Sequence, residues 1–175
     1  KPVVIDASTD DSFAANGSRP AIVINGNGGN FSGLVLSAGA ANSSIRGFIV
    51  QGFGQAGIVV ESGATGVTIA GNYVGRIDAN GSAAAAGAAN TTGILVQAAG
   101  TLIGGLAADD RNVISGNSYA GVYLFTGASG VGILSNYVGV DAGGQNAVGN
   151  GYGVLIMDDG GGHLIGGDMV GIGNV

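Results

Sequence analysis

Cysteine is absent from the 175-residue chain, which rules out disulfide staples and thiol chemistry. The absence fits a secreted bacterial protein, although many cytosolic domains also lack the residue. Charge is scarce too, with 9% of residues ionisable as Asp, Glu, Lys or Arg and a formal net charge of -6. The cations Lys1, Arg19, Arg46, Arg76 and Arg111 are scattered singly. They cannot form the basic stripe that a phosphate backbone requires, so no nucleic-acid partner is expected. No apolar run approaches the roughly 20 residues of a membrane-crossing helix, and membrane insertion is not expected either. With one histidine, His163, any histidine-based triad or zinc site would have to be built around that residue alone. Walker, Rossmann and zinc spacings are missing. No segment sustains a 3.6-residue period, which leaves an all-β reading.

What the chain has is glycine, 38 residues of it, and short aliphatic runs between Gly, Asn, Ser and Asp. The runs read as strands at residues 3–5, 21–24, 34–36, 45–50, 58–60, 67–74, 94–96, 102–103, 113–114, 122–125, 131–138, 154–156 and 164–165. Gly57 to Gly75, GIVVESGATGVTIAGNYVG, returns 64 positions later as GVYLFTGASGVGILSNYVG. A register held over 19 residues marks a structural repeat.

The strands fall into three series. Ile45, Ile69, Ile103, Ile133 and Ile165 head the first, at spacings of 24, 34, 30 and 32 residues. Val50, Val74, Ile114 and Val138 mark the second. Leu34, Ile58, Ile94, Val122 and Val154 mark the third, preceded by glycine. Equivalent positions recur only after a whole turn, so the pairing is parallel and the crossovers right-handed. The expected architecture is a single-stranded right-handed parallel β-helix spanning residues 1–175, with three short strands per turn and five to six turns. At about 4.8 Å between paired strands the rod is on the order of 25 Å long. Differences in turn length are expected at one corner only, between second and third strands, where residues 76–92 and 140–152 differ in length.

GNYVG at 71–75, SNYVGVD at 135–141, RNVISGN at 111–117 and the LIGG segments at 102–105 and 164–167 carry a family likeness. They resemble the right-handed parallel β-helix proteins of the pectate-lyase-like superfamily, and more closely the Gly/Asn-rich repeats of large secreted or surface-attached bacterial proteins. The resemblance implies the fold and an extracellular or cell-surface location. It does not select among the lyases, hydrolases, adhesins and structural modules built on that scaffold.

Asn72, Asn112, Asn136 and Asn174 share one position just before the second strand. They are expected to form a structural ladder whose amides bond from turn to turn. Three acidic pairs invite a chemical test, Asp10–Asp11, Asp109–Asp110 and Asp158–Asp159, and the last, with His163 nearby, offers half of what a resemblance to polygalacturonases would require. Near Asp158, Asp159 and His163 no Arg or Lys stands in sequence, and adjacent aspartates on a strand point oppositely, so no carboxylate dyad is expected. A lyase would need acidic Ca²⁺ ligands on one sheet plus an arginine base, and the acids here lie in turns. Asp78, Asn80 and Asp141 supply hard oxygens for a structural Ca²⁺, while Asx-turns account for the same residues without metal. No other cofactor is expected.

Alternation along the third strands sends Val35, Val59, Leu95, Tyr123 and Leu155 outward, with Ser37, Glu61, Gln97, Phe125 and Met157 beside them. Tyr123, Phe125, Leu155 and Met157 therefore form a candidate interaction surface unless a loop covers it. Tyr73 is expected to face outward on the second sheet. The ends present unpaired strand edges, and the expectation is a piece of a longer solenoid or a subunit that stacks on copies of itself. The function that follows is non-catalytic: a rigid spacer, adhesive or assembling module of a secreted or surface bacterial protein, whose partner is itself, a carbohydrate or another surface protein. The alternative is a carbohydrate-active enzyme or carbohydrate-binding module on the same fold.

Overall fold

Turn-forming residues interrupt the apolar runs so often that each run crosses only one side of a coil. The computed structural model describes residues 1–157, 159–167 and 173–175, and these described residues form sixteen strands, three to a turn. The first turn holds β1 (Val4–Asp6), β2 (Ile22–Gly29) and β3 (Leu34–Leu36). The second holds β4 (Ser44–Arg46), β5 (Phe48–Phe53) and β6 (Ala56–Val60), the third β7 (Thr68–Ala70), β8 (Tyr73–Gly75) and β9 (Thr92–Val96). The fourth holds β10 (Leu102–Gly104), β11 (Val113–Ser115) and β12 (Ala120–Phe125), and the fifth β13 (Gly132–Leu134), β14 (Tyr137–Val138) and β15 (Tyr152–Met157). Strand β16 (Leu164–Ile165) opens a sixth.

Like strands pair in parallel into three sheets, β1-β4-β7-β10-β13-β16, β2-β5-β8-β11-β14 and β3-β6-β9-β12-β15. The protein is a right-handed parallel β-helix. Its register stacks Ile5, Ile45, Ile69, Ile103, Ile133 and Ile165 in the first sheet. Ile24, Val50, Val74, Ile114 and Val138 stack in the second, and Leu34, Ile58, Ile94, Val122 and Val154 in the third. These rows converge on one core, in which Ile69, Ile94, Ile103, Ile114 and Ile133 are inaccessible to solvent. Each fully buried aliphatic side chain contributes roughly 1.5–3 kcal/mol.

Glycine just ahead of Leu34, Ile58, Ile94, Val122 and Val154 in the third sheet has a steric cause. A Cβ on Gly33, Gly93 or Gly121 would stand 2.5, 2.5 or 2.7 Å from the carbonyl oxygen of the corresponding glycine in the next turn. Any side chain there would prise the turns apart.

Two details depart from the sequence expectation. Segments 45–50, 67–74 and 131–138 are not single strands, because each bends where a left-handed residue turns the chain from the first sheet to the second: Gly47 (φ 81°), Gly71 (φ 65°) and Ser135 (φ 61°). A pattern of apolar residues carries no trace of such a bend. Turn length also varies at a second corner, between first and second strands. There the first turn inserts helix α1 (Asp11–Ala15), and the fourth inserts a 3₁₀ turn at Ala108–Asp110.

The corner insertions fold back over the outside of the second sheet. Its outward row Ile49, Tyr73 and Val113 packs with Ile77 and Val148 from the two long corners into a smaller second core. Tyr73 does point outward, yet it is 5% exposed, because the chain's own loops cover it.

Substituting Ile69 by Ala leaves a cavity in the middle of a continuous row and is expected to cost about 2–5 kcal/mol. Ile165→Ala, where the side chain is 47% exposed, is expected to cost a small part of that. Urea unfolding with an unchanged m-value checks both.

Candidate functional site

The corners carry the polar side chains, and the first question is which of them are spent on holding the coil. At the corner before the second strand, Asn72, Asn112, Asn136 and Asn174 lie one above another. The Asn112 Oδ1 accepts from the backbone N–H of Asn72 (2.9 Å) and from its Nδ2 (3.1 Å). The Asn112 Nδ2 donates to Ile69 O (2.8 Å) and to Asn136 Oδ1 (2.9 Å). All four hydrogen-bonding capacities of a buried amide are thereby used. Asn136 repeats the pattern toward Asn174, accepting from Asn112 and donating to Ile103 O (2.9 Å) and Asn174 Oδ1 (3.2 Å).

A second ladder, which the sequence reading missed, stands at the corner before the third strand. Asn90 Nδ2 bonds Val50 O (3.0 Å) and Asn117 Oδ1 (3.1 Å), and Asn117 Nδ2 bonds Val74 O (3.1 Å) and Asn150 Oδ1 (2.9 Å). Its signal was present: an asparagine stands three or four residues ahead of Gly93, Gly121 and Gly153. Each ladder begins beside a phenylalanine in the preceding turn. Phe48 N donates to Asn72 Oδ1 (3.1 Å) and Phe53 N to Asn90 Oδ1 (3.0 Å).

Asp10, Asp109 and Asp110 have structural roles as well. Asp10 caps α1, accepting from Ser12 N (2.9 Å) and the Ser12 hydroxyl, and these bonds hold its carboxyl below the usual aspartate range. Asp109 and Asp110 have a cationic partner that sequence proximity did not reveal. Arg46, some sixty residues earlier, reaches Asp109 Oδ2 at 3.1 Å and Asp110 Oδ1 at 2.9 Å. Asp158 lies outside the described residues, so its pairing with Asp159 carries no geometry. His163 Nδ1 accepts the backbone N–H of Val131 (3.2 Å), which ties it to the preceding turn.

Asp78 and Asp141 occupy matching tight loops, each closed by a short antiparallel bridge, Ile77 with Ala83 and Val140 with Ala147. Asp78 Oδ1 accepts from Asn80 N (2.8 Å) and Ser82 N (3.0 Å). Asp141 Oδ1 accepts from Gln145 N (3.0 Å), and its Oδ2 accepts from the Asn146 amide. The Asn146 side chain first, then Gln145 N–H, hold the Asp141 carboxyl below the ordinary aspartate value. Asn80 contributes its backbone N–H to the Asp78 turn. Among the described residues no three His, Asp or Glu side chains gather closely enough to hold a metal ion.

The outer face of the third sheet is different. The outward row runs Val35, Val59, Leu95, Tyr123, Leu155 in register, with Val59 buried and Leu95, Tyr123 and Leu155 half-buried. Phe125 and Met157 pair directly and are 37% and 55% exposed. Two further rings join them, Tyr119 at the corner entering β12 and Tyr152 at the start of β15. Ring centroids run Tyr152–Tyr119 5.6 Å, Tyr119–Tyr123 5.9 Å and Tyr123–Phe125 5.4 Å, with interplanar angles of 78°, 71° and 66°. The Tyr123 hydroxyl donates to Met157 Sδ at 3.6 Å. Each edge-to-face contact adds about 0.5–1.5 kcal/mol, so the strip is a preformed aromatic surface. Sequence alternation placed Tyr123 and Phe125 on this face but not Tyr119, at a corner where alternation has no phase, nor Tyr152, which opens β15 two residues ahead of inward Val154 and so off the outward phase.

Comparison with protein-family models, curated proteins and solved structures returned no match.

Asn112→Asp removes both Nδ2 donors and faces a carboxylate with Asn136 Oδ1 and Ile69 O. Unpaired buried groups cost about 1–3 kcal/mol each, so a loss of roughly 3 kcal/mol or more is expected in urea unfolding at neutral pH. For Asp141, an NMR pH titration is expected to place the carboxyl midpoint below the ordinary 3.8. Asn146→Ala should move it back upward. The loop bonds that prefer the carboxylate are present above that ordinary value and are lost as pH falls through the depressed one.

Proposed function

We propose that the chain is a non-catalytic structural and adhesive module, a stiff rod that presents an aromatic face to a partner at the surface of a bacterial cell or outside it. The observation that carries this reading is the exposed strip of Tyr119, Tyr123, Tyr152 and Phe125 with Met157 on the third sheet. Contiguous exposed apolar patches mark interaction sites, and Tyr and Met are enriched in protein–protein contacts. The rings interlock at steep angles rather than lying coplanar as a flat platform for a sugar ring. That geometry supports a protein surface as partner over a glycan.

The acidic residues add support. Asp10, Asp78, Asp109, Asp110 and Asp141 each hold a cap, a turn or an ion pair. The parallel β-helix agrees with the sequence's resemblance to the pectate-lyase-like superfamily, and its Gly/Asn-rich turns resemble the repeats of secreted and surface-attached bacterial modules, which supports the reading. Mechanically, the two amide ladders and the aliphatic rows keep the strip in register.

The test compares the wild-type chain with a Tyr119→Ser, Phe125→Ser, Met157→Ser variant of the same fold, checked by far-UV circular dichroism. Retention on intact bacterial cells and sedimentation over a concentration series are measured, alongside release of reducing ends and unsaturated sugars from polyuronates and neutral polysaccharides. Expected are retention or self-association that falls about tenfold or more in the variant, a loss of at least ~1.4 kcal/mol, with no polysaccharide cleavage. Cleavage that survives the substitutions, or retention and association that ignore them, would overturn the reading.

A further inference from the structure

Of the chain's five cations, the fold brings two that are distant in sequence, Arg19 and Arg111, to one cleft. The cleft measures about 170 Å³ and lies where Tyr73 and Val113 of the second sheet meet Gly71 and Ala142. Both guanidinium groups are held from behind. Arg19 donates Nε to Asn16 O (2.9 Å) and Nη1 to Asn80 O (2.8 Å). Arg111 donates Nε to Ser135 O (2.9 Å), and its Cζ sits 4.3 Å from the centre of the Tyr137 ring.

These contacts orient the two planes and use little of their donor capacity. The Arg19 Nη2 and both terminal nitrogens of Arg111 meet no protein acceptor among the described residues, where the ion pairs formed are those of Arg46. Asp109 also lines the cleft, but its carboxylate is drawn to Arg46 at 3.1 Å. Burial pushes the Tyr73 phenol up from its ordinary value, so its hydroxyl stays protonated at neutral pH. Oriented guanidinium forks with unfilled donors match the geometry of carboxylate and phosphate oxygens. The cleft is smaller than the about 300–1,000 Å³ that encloses a drug-sized molecule, so it suits one charged group.

We propose that the Arg19–Arg111 cleft is a binding site for a single small oxyanion, a phosphate or carboxylate group, carried by a free ion or by the end of a larger ligand. This site is separate from the aromatic strip and does not depend on the adhesive reading.

The experiment titrates the ¹⁵N-labelled chain with inorganic phosphate and, separately, with acetate, holding ionic strength constant with chloride. Saturable shifts are expected at the Gly71 and Ala142 amides and at the Arg19 and Arg111 Nε signals. Arg111→Gln should weaken binding about tenfold or more. Lys1→Gln, which removes the same charge outside the cleft, should leave binding unchanged. Ala142→Leu fills the cleft while keeping both arginines, and should abolish the response even if Arg111→Gln disturbs its corner. Saturation by phosphate alone assigns a phosphoryl ligand, and a preference for acetate assigns a carboxylate ligand. The proposal is overturned if neither ion gives a saturable response, if Lys1→Gln weakens binding as much as Arg111→Gln, or if Ala142→Leu binds normally.

Discussion

Parallel stacking obliges every turn to satisfy its polar groups on the turn above or below, and the rest of the structure depends on that constraint. A coil with sharp corners exposes backbone N–H and C=O groups to an interior without water, where an unpaired group costs about 1–3 kcal/mol. Strands meet the requirement along the sheets, but corners cannot do so with backbone alone. Asparagine supplies what is missing, since its carboxamide accepts from the turn before and donates both back to it and on to the next. Asn72, Asn112 and Asn136 do this at one corner, and Asn90 and Asn117 at the other. Glycine completes the arrangement. At Gly33, Gly93 and Gly121 the space a Cβ would fill is taken by the carbonyl of the adjoining turn.

The same constraint explains where the few charges went. Long corners lack a sheet to pair with, so each closes on itself or on a neighbour through one ionised group. Arg46 clamps the 3₁₀ turn at Asp109–Asp110, Asp78 and Asp141 each close a tight loop, and Arg19 joins the α1 segment to the loop at Asn80. Once folded back, those corners bury Ile49, Tyr73 and Val113 on the outside of the second sheet. Among the described residues the third sheet has no such cover over its C-terminal turns, and its aromatic residues stand half-exposed in an interlocked row. Two outer faces of one coil therefore carry different chemistry: one armoured by loops with an arginine-lined cleft, the other apolar and open.

The sequence by itself determined the coil. A register that returns after whole turns, with an isoleucine in each first strand and a glycine just ahead of the inward residue that opens each third-sheet row, admits parallel stacking and little else, because local turn chemistry and inward alternation repeat at every level. It also located one asparagine row and the Tyr123–Phe125 segment. Only the tertiary structure decided which faces are covered, since that depends on where corners of unequal length come to rest. It decided, too, that Tyr73 is buried while Met157 is not, that Arg46 meets Asp109 and Asp110 across turns, and that Arg19 and Arg111 share a cleft. Repetition along one axis is a local property and is written in the residue spacing. Contacts between irregular corners are set by distances across the coil, to which no periodicity in the chain corresponds.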